Sequence, residues 1–150
     1  MYNFLSKKTT TYAVLYKYCV ILQAKHRTTM AQHNDFGKEG ELQAQQFLRD
    51  RGYIIRDCNW RFGHDELDIV AEKDGWLVVV EVKSRSTEHF EHPKDAVTPA
   101  KIRRIVAATH EYILQHDIDA DVRFDVVSVI PVGDTYRIEH IEDAFLPPVN

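Results

Sequence analysis

Two apolar runs, Glu66-Leu67-Asp68-Ile69-Val70-Ala71 and Trp76-Leu77-Val78-Val79-Val80-Glu81-Val82-Lys83, carry acids and a lysine inside what should be core strands. Asp68, Glu81 and Lys83 form a residue set suited to a hard divalent cation. Mg²⁺ typically takes one or two carboxylates and fills its shell with water and substrate phosphate. The chemistry such a set serves is hydrolysis of a phosphodiester.

These residues need two strands to bring them together. Both runs are rich in β-branched and aliphatic side chains, and the break between them ends in Asp74-Gly75, the strongest short-range hairpin signal. With those two residues in the loop, Lys73 faces Trp76, Asp68 faces Glu81 and Glu66 faces Lys83. Alternation places Glu66, Asp68, Val70, Val79, Glu81 and Lys83 on one face, and Leu67, Ile69 and Ala71 on the other. Directly opposed side chains sit about 4.5–5.5 Å apart at Cβ, where like charges are destabilising. Desolvated carboxylates cost far more than exposed ones, so a cation belongs between Asp68 and Glu81: Lys83 or a divalent metal. On geometry alone the plainer reading is favoured, a solvated acidic face with Glu66 and Lys83 as a cross-strand pair, because Glu-x-Lys is a common triplet.

A chain of 150 residues, 44% hydrophobic and 28% charged, has the composition of one globular domain with a real core. Its net charge of −4 argues against a basic nucleic-acid binder overall, although an enzyme with a metal on carboxylates needs only local basic patches. Cys19 and Cys58 have no ligand spacing, which excludes a disulfide framework or a zinc site and makes a reducing, cytoplasmic setting the default.

Residues 1–30 read as an N-terminal extension, either poorly ordered or a gene-model addition if translation starts at Met30. The apolar run there is interrupted by Lys17, is too short to span a bilayer and lacks a clear cleavage site, so neither export nor a membrane partner is expected. A single domain over 31–146 and a surface tail over 147–150 follow.

Within that domain, Asn34 or Asp35 caps a helix that ends near Gly52, with Phe36, Gly40, Ala44, Phe47 and Leu48 as its apolar stripe. Glu41 lies on the edge of that stripe, within reach of the acidic hairpin, although a solvated first-turn glutamate is the simpler reading. Tyr53 to Cys58 reads as the first strand and Asn59 to Asp65 as its exit loop. Trp60 and Phe62 are expected to cover the core, while Arg56 and Arg61 are candidates for phosphate contact. Ser84 to Val97 reads as a loop, with His89 and His92 solvated. Thr98-Pro99 starts a helix running to His116, with Ile102, Ile105, Val106, Thr109, Tyr112 and Ile113 as its stripe. Lys101 and Arg104 fall on another face beside Arg103 and form the best local basic patch for binding substrate. Strands follow at Val122–Ile130, apolar enough to be central, and at Thr135–Ile141. The order α-β-β-β-α-β-β, a hairpin and then a helical crossover, predicts an α/β fold: a mixed sheet with helices on its faces.

Asp68, the short hairpin and Glu81-Val82-Lys83 together resemble the PD-(D/E)xK core of restriction-endonuclease-like nucleases, with Leu67 in place of the leading proline. More specifically, Gly40-Glu41, Gly52-Tyr53, Asn59 with Arg61, Glu66 to Ala71, Val80 to Arg85 and Lys101-Ile102-Arg103-Arg104 resemble the YraN-like family of bacterial proteins over Asp35 to Ile141. One departure is Asp65-Glu66, where that family usually has Gly-Glu. The chain is also similar to archaeal Holliday-junction resolvases, which makes Glu41, Asp68, Glu81 and Lys83 the corresponding catalytic positions. The resemblance implies a restriction-endonuclease-like fold and a Mg²⁺- or Mn²⁺-dependent nuclease. Its ion would be held by Asp68, Glu81 and the backbone carbonyl of Val82, with Glu41 completing the shell. Lys83 would orient or deprotonate the attacking water, and Lys101, Arg104, Arg61 and Arg85 would contact the nucleic acid, with DNA, including branched DNA, favoured. Junction-cutting relatives also imply a homodimer. The rivals are a non-catalytic module of the same fold that binds nucleic acid or a protein, and a plain salt-bridge network.

Overall fold

The computed structural model describes residues 36–85 and 97–148. The chain divides into two units, Met1–Phe36 and Gly37–Asn150, and the sheet with its packed helices belongs to the second. The expected N-terminal extension, the cap at Asn34 or Asp35, and His89 and His92 lie outside the described residues.

The β2–β3 hairpin organises the sheet. β2 (Asp65–Lys73) and β3 (Trp76–Ser84) are joined by Asp74 and Gly75, with φ of 51° and 85°. Positive φ at both loop residues is what a type I′ turn requires and what Asp-Gly tolerates. The expected register holds from Lys73 opposite Trp76 to Ile69 opposite Val80.

β1 (Ile54–Phe62) pairs antiparallel with β2. Asn59 to Phe62 therefore belong to a strand rather than to an exit loop, and only Gly63-His64 turns the chain. The cross-strand partners Trp60 with Leu67, Arg61 with Glu66 and Phe62 with Asp65 extend that ladder, a pairing that local sequence could not reveal. β4 (Asp121–Val132) runs parallel to β3, and β5 (Thr135–Ile141) returns antiparallel to β4. The spatial order is β1-β2-β3-β4-β5, so β3 is central and the parallel step is made by the crossover helix.

Two helices cover the sheet. α1 includes residues 36–50, and its Ala44 and Leu48 pack with Ile69, Ala71, Val78, Val80, Val127 and Val129 on one face. α2 (Pro99–His116) is capped by Thr98, whose hydroxyl accepts the Lys101 N–H. Its Ile105, Ala108 and Tyr112 pack with Val70, Leu77, Val79, Phe124 and Val126 on the other face. The architecture is the expected α/β fold of order α-β-β-β-α-β-β. Among the described residues no helix is long and apolar enough to cross a membrane.

Alternation breaks between Ile55 and Asp57 of β1, where the register with β2 shifts, and again around Asp68 of β2. Leu67 packs on the α2 side with Val70, while Ile69 between them packs on the α1 side. The expected grouping of Leu67 with Ile69 and Ala71 is thereby corrected. Opposite this stretch Asn59 has φ of 53°, a left-handed conformation that asparagine tolerates better than most residues. Its neighbours diverge accordingly: Asp57 accepts from Tyr112 of α2, Asn59 donates to Glu41 of α1, and Trp60 returns to Tyr112 at 5.1 Å.

Candidate active site

The irregularity of β2 falls at Asp68, opposite the left-handed Asn59 of β1. Beyond Ile69 and Val80 the hairpin ladder stops, and the Asp68 carboxylate takes the Val82 N–H at 2.8 Å. Asp68 is half-buried, and burial together with the neighbouring Glu81 pushes its carboxyl up to about 7, against the pull of the Val82 N–H and Lys101. Glu41 adds to the upward push. Raised carboxyls of this kind concentrate at functional sites, where acids are desolvated beside like charge.

Glu81 is the most enclosed member, 5% exposed. Val79 on its side of β3 packs beneath α2, and the same alternation turns Glu81 and Lys83 towards α2. Lys83 Nζ lies 2.9 Å from Glu81 Oε1, and Lys101 Nζ lies 3.1 Å from Oε2. The expected pair of Glu66 with Lys83 does not form: Glu66 accepts from Arg61 at 3.1 Å, and Lys83 serves Glu81. Lost ladder pairing beyond Ile69 and Val80 is the reason, since it releases Glu66 from the face that holds Lys83.

Glu41 is brought to this end of the sheet by a close helix–strand contact. A Cβ on Gly40 would stand 1.9 Å from Ser84 Oγ and 3.0 Å from Ser84 Cβ, so only glycine lets α1 approach the end of β3 this closely. The next residue, Glu41, accepts the Asn59 side-chain N–H at 3.0 Å.

The structure thus gathers Glu41, Asp68, Glu81, Lys83 and Lys101 around the ends of β2 and β3. Of the other candidate cations, Arg104, Arg61 and Arg56 pair with acids outside that group. Arg104 pairs with Asp65 at 2.7 Å and Arg61 with Glu66, at the turn joining β1 and β2. Arg56 pairs with Glu72, and Arg85 continues β3 through its N–H to the Val129 carbonyl.

Sequence reasoning missed two features. It set Lys101 on an outward basic face, whereas the lysine reaches Glu81. It also passed over Asp125, fully buried on β4, which accepts from Arg123, from His140 at 2.8 Å and from the Asp143 N–H at 3.0 Å. An acid two residues from Arg123, and so on the same side of an apolar strand, was the available signal for Asp125.

Among the described residues no three His, Cys, Asp or Glu side chains meet in metal-ligating geometry. A divalent ion would rest on Asp68 and Glu81, with remaining positions left to backbone oxygen, water and substrate. The donor set suits a hard cation: both ligands are carboxylates, and Asp68 lacks a cation that would favour its ionised form over the effects of burial and Glu81.

Fold and site together define an α/β protein in which carboxylates from two strands of a hairpin meet lysines at the end of a mixed sheet. The chain belongs to the uncharacterised protein family UPF0102, whose model matches residues 40–129, which bears out the resemblance to YraN-like proteins. It is similar to a UPF0102 protein of Phocaeicola vulgatus, 51% identical over 120 residues, which are 80% of this chain and 99% of that relative. A UPF0102 protein of Bacteroides fragilis is 54% identical over the same shares, and one of Flavobacterium psychrophilum is 47% identical over 77% of this chain and 98% of its own.

Proposed function

We propose that the protein is a metal-dependent nuclease that hydrolyses nucleic-acid phosphodiesters, with DNA, including branched DNA, as the favoured substrate. The observation that carries this reading is the crowding of Asp68 beside the nearly enclosed Glu81, with Lys83 Nζ 2.9 Å from the latter. Asp68, Glu81 and the Val82 carbonyl would hold Mg²⁺ or Mn²⁺, and Glu41, steadied by Asn59, would adjust the shell. Such an ion, when bound, polarises the scissile phosphate and lowers the pKa of water.

The chain's own contribution is positional and electrostatic. Lys83 is a cation held against the site by its strand neighbour, placed to orient the attacking water and to stabilise charge developing on the phosphate. Asp68 is oriented by the Val82 N–H. Arg61, Arg85 and Arg104 offer contacts to the strand away from the scissile group, and a homodimer would allow both strands of a junction to be cut. The support for this assignment is the resemblance of Asp68 and Glu81-Val82-Lys83 to the PD-(D/E)xK core, together with the geometry.

A second reading is a module of the same fold that binds nucleic acid without cutting it, favoured by the full engagement of Glu81 with Lys83 and Lys101. A cleavage assay in Mg²⁺ and Mn²⁺ over single-stranded, duplex, flap and four-way DNA separates the two. Cleavage by the natural protein that Asp68→Asn abolishes is the expected result; salt-dependent binding with no cutting in either ion would establish the second reading instead.

A further inference from the structure

The ion pair between Lys101 and Glu81 has no part in the metal-ion scheme as stated. Each Glu81 oxygen already has an ammonium partner, Lys83 on Oε1 and Lys101 on Oε2. With Asp68 ionised, the carboxylates of Asp68 and Glu81 are matched by these lysines, and Glu41 leaves one negative charge over. Adding a divalent ion leaves surplus positive charge in a partly desolvated place, where charge is costly. A lysine must yield.

The two lysines differ in their freedom to do so. Lys83 is two residues from Glu81 on the same strand and the same side of the sheet, so it remains a neighbour. Lys101 comes from a separate element, in the first turn of α2, and its side chain is 27% exposed. That turn contains no acid, and a helix N-terminus disfavours a cation. Glu81, rather than the helix, keeps Lys101 where it is.

We infer that Lys101 is a resident counter-ion of Glu81 that competes with the divalent ion. It occupies Oε2 while the ion is away, releases it when the ion binds, and turns to a phosphate oxygen of the bound strand. Ion and nucleic acid then bind cooperatively: the ion frees the cation that the phosphate uses, and the phosphate keeps that cation off Glu81. Linkage makes the coupling reciprocal. The inference rests on Asp68 and Glu81 being the ion's ligands.

Calorimetric titration of the full chain with Mn²⁺ tests it, with and without a phosphorothioate DNA duplex, for the natural protein, Lys101→Met and Lys101→Arg. Without DNA, Lys101→Met binds Mn²⁺ about tenfold more tightly than the natural protein, an ordinary size for such coupling. DNA tightens Mn²⁺ binding to the natural protein and to Lys101→Arg by a similar factor, and leaves Lys101→Met unchanged. Lys101→Gln reads the same effect if the methionine variant does not fold. Equal Mn²⁺ affinity in the natural protein and the neutral variants overturns the counter-ion role while leaving the ligand assignment in place. Absence of Mn²⁺ binding by folded samples of all of them overturns the ligand assignment and this inference with it.

Discussion

Asp68 Oδ2 accepts the Val82 N–H at 2.8 Å, so a side chain takes the hydrogen bond where the β2–β3 ladder ends. The carboxylate is oriented by backbone and exposed to the field of Glu81 at once. Orientation and electrostatic strain at Asp68 have a common origin in the interrupted ladder.

Substitution at Asp68 separates these roles. Asp68→Asn keeps an acceptor for Val82 and removes the charge, whereas Asp68→Ala leaves the N–H unsatisfied at a cost of about 1–3 kcal/mol. Because burial and Glu81 raise the folded carboxyl to about 7, above its unfolded value of about 4, the native state binds the extra proton between those values. Stability therefore falls as pH rises from about 4 to about 7. In EDTA, urea melts should find Asp68→Asn more stable than the natural protein at pH 8, with the gap closing towards pH 4; a constant gap would contradict the assignment.

The contact of Gly40 with Ser84 predicts a specific pair of effects. Gly40→Ala forces a methyl to within 1.9 Å of Ser84 Oγ, and overpacking of this kind costs about 1–3 kcal/mol. Adding Ser84→Ala removes the nearest atom and should recover most of the loss in a double-mutant cycle. Independent, additive effects would mean that the helix does not lean on β3 at this point.

Acid stability should depend on Asp125. Burial by itself pushes its carboxyl up, but the bonds from His140, Arg123 and the Asp143 N–H outweigh it and hold the group below the ordinary carboxylate value. A depressed folded value stabilises the fold above the unfolded pKa of about 4, and that contribution is lost as pH falls through the folded value. Asp125→Asn should cost about 3–5 kcal/mol at neutral pH, as breaking a buried ion pair does. The difference in melting between the two proteins should shrink below pH 4, and one that persists undiminished to pH 2 would refute the role.

Features of the chain governed by neighbours in sequence were legible before folding was considered. Asp74-Gly75 specified the turn, and with it the register from Lys73 opposite Trp76 to Ile69 opposite Val80. Thr98-Pro99 marked the start of α2, and the spacing of Ile105, Thr109 and Tyr112 marked its buried side. Glu81 and Lys83 on one side of β3 followed from alternation along that strand, which is local geometry, whereas Asp68 directly opposite Glu81 would have needed one more step of register than the ladder makes. Extending the register past Ile69 failed, because the positive φ of Asn59 and the side-chain bond from Asp68 to Val82 depend on how β1, α1 and β3 meet. Lys101 at Glu81 and the bond of His140 to Asp125 were equally out of reach. Lys101 arrives only once α2 closes on the sheet, and His140 only once β5 pairs with β4. Local sequence was enough for the helices, most of the strands, the α/β class and the hairpin that carries the acids. Tertiary structure alone decided which cation each acid holds, because ion pairs depend on distance in space, whereas periodicity reports only which way a side chain leaves its own element.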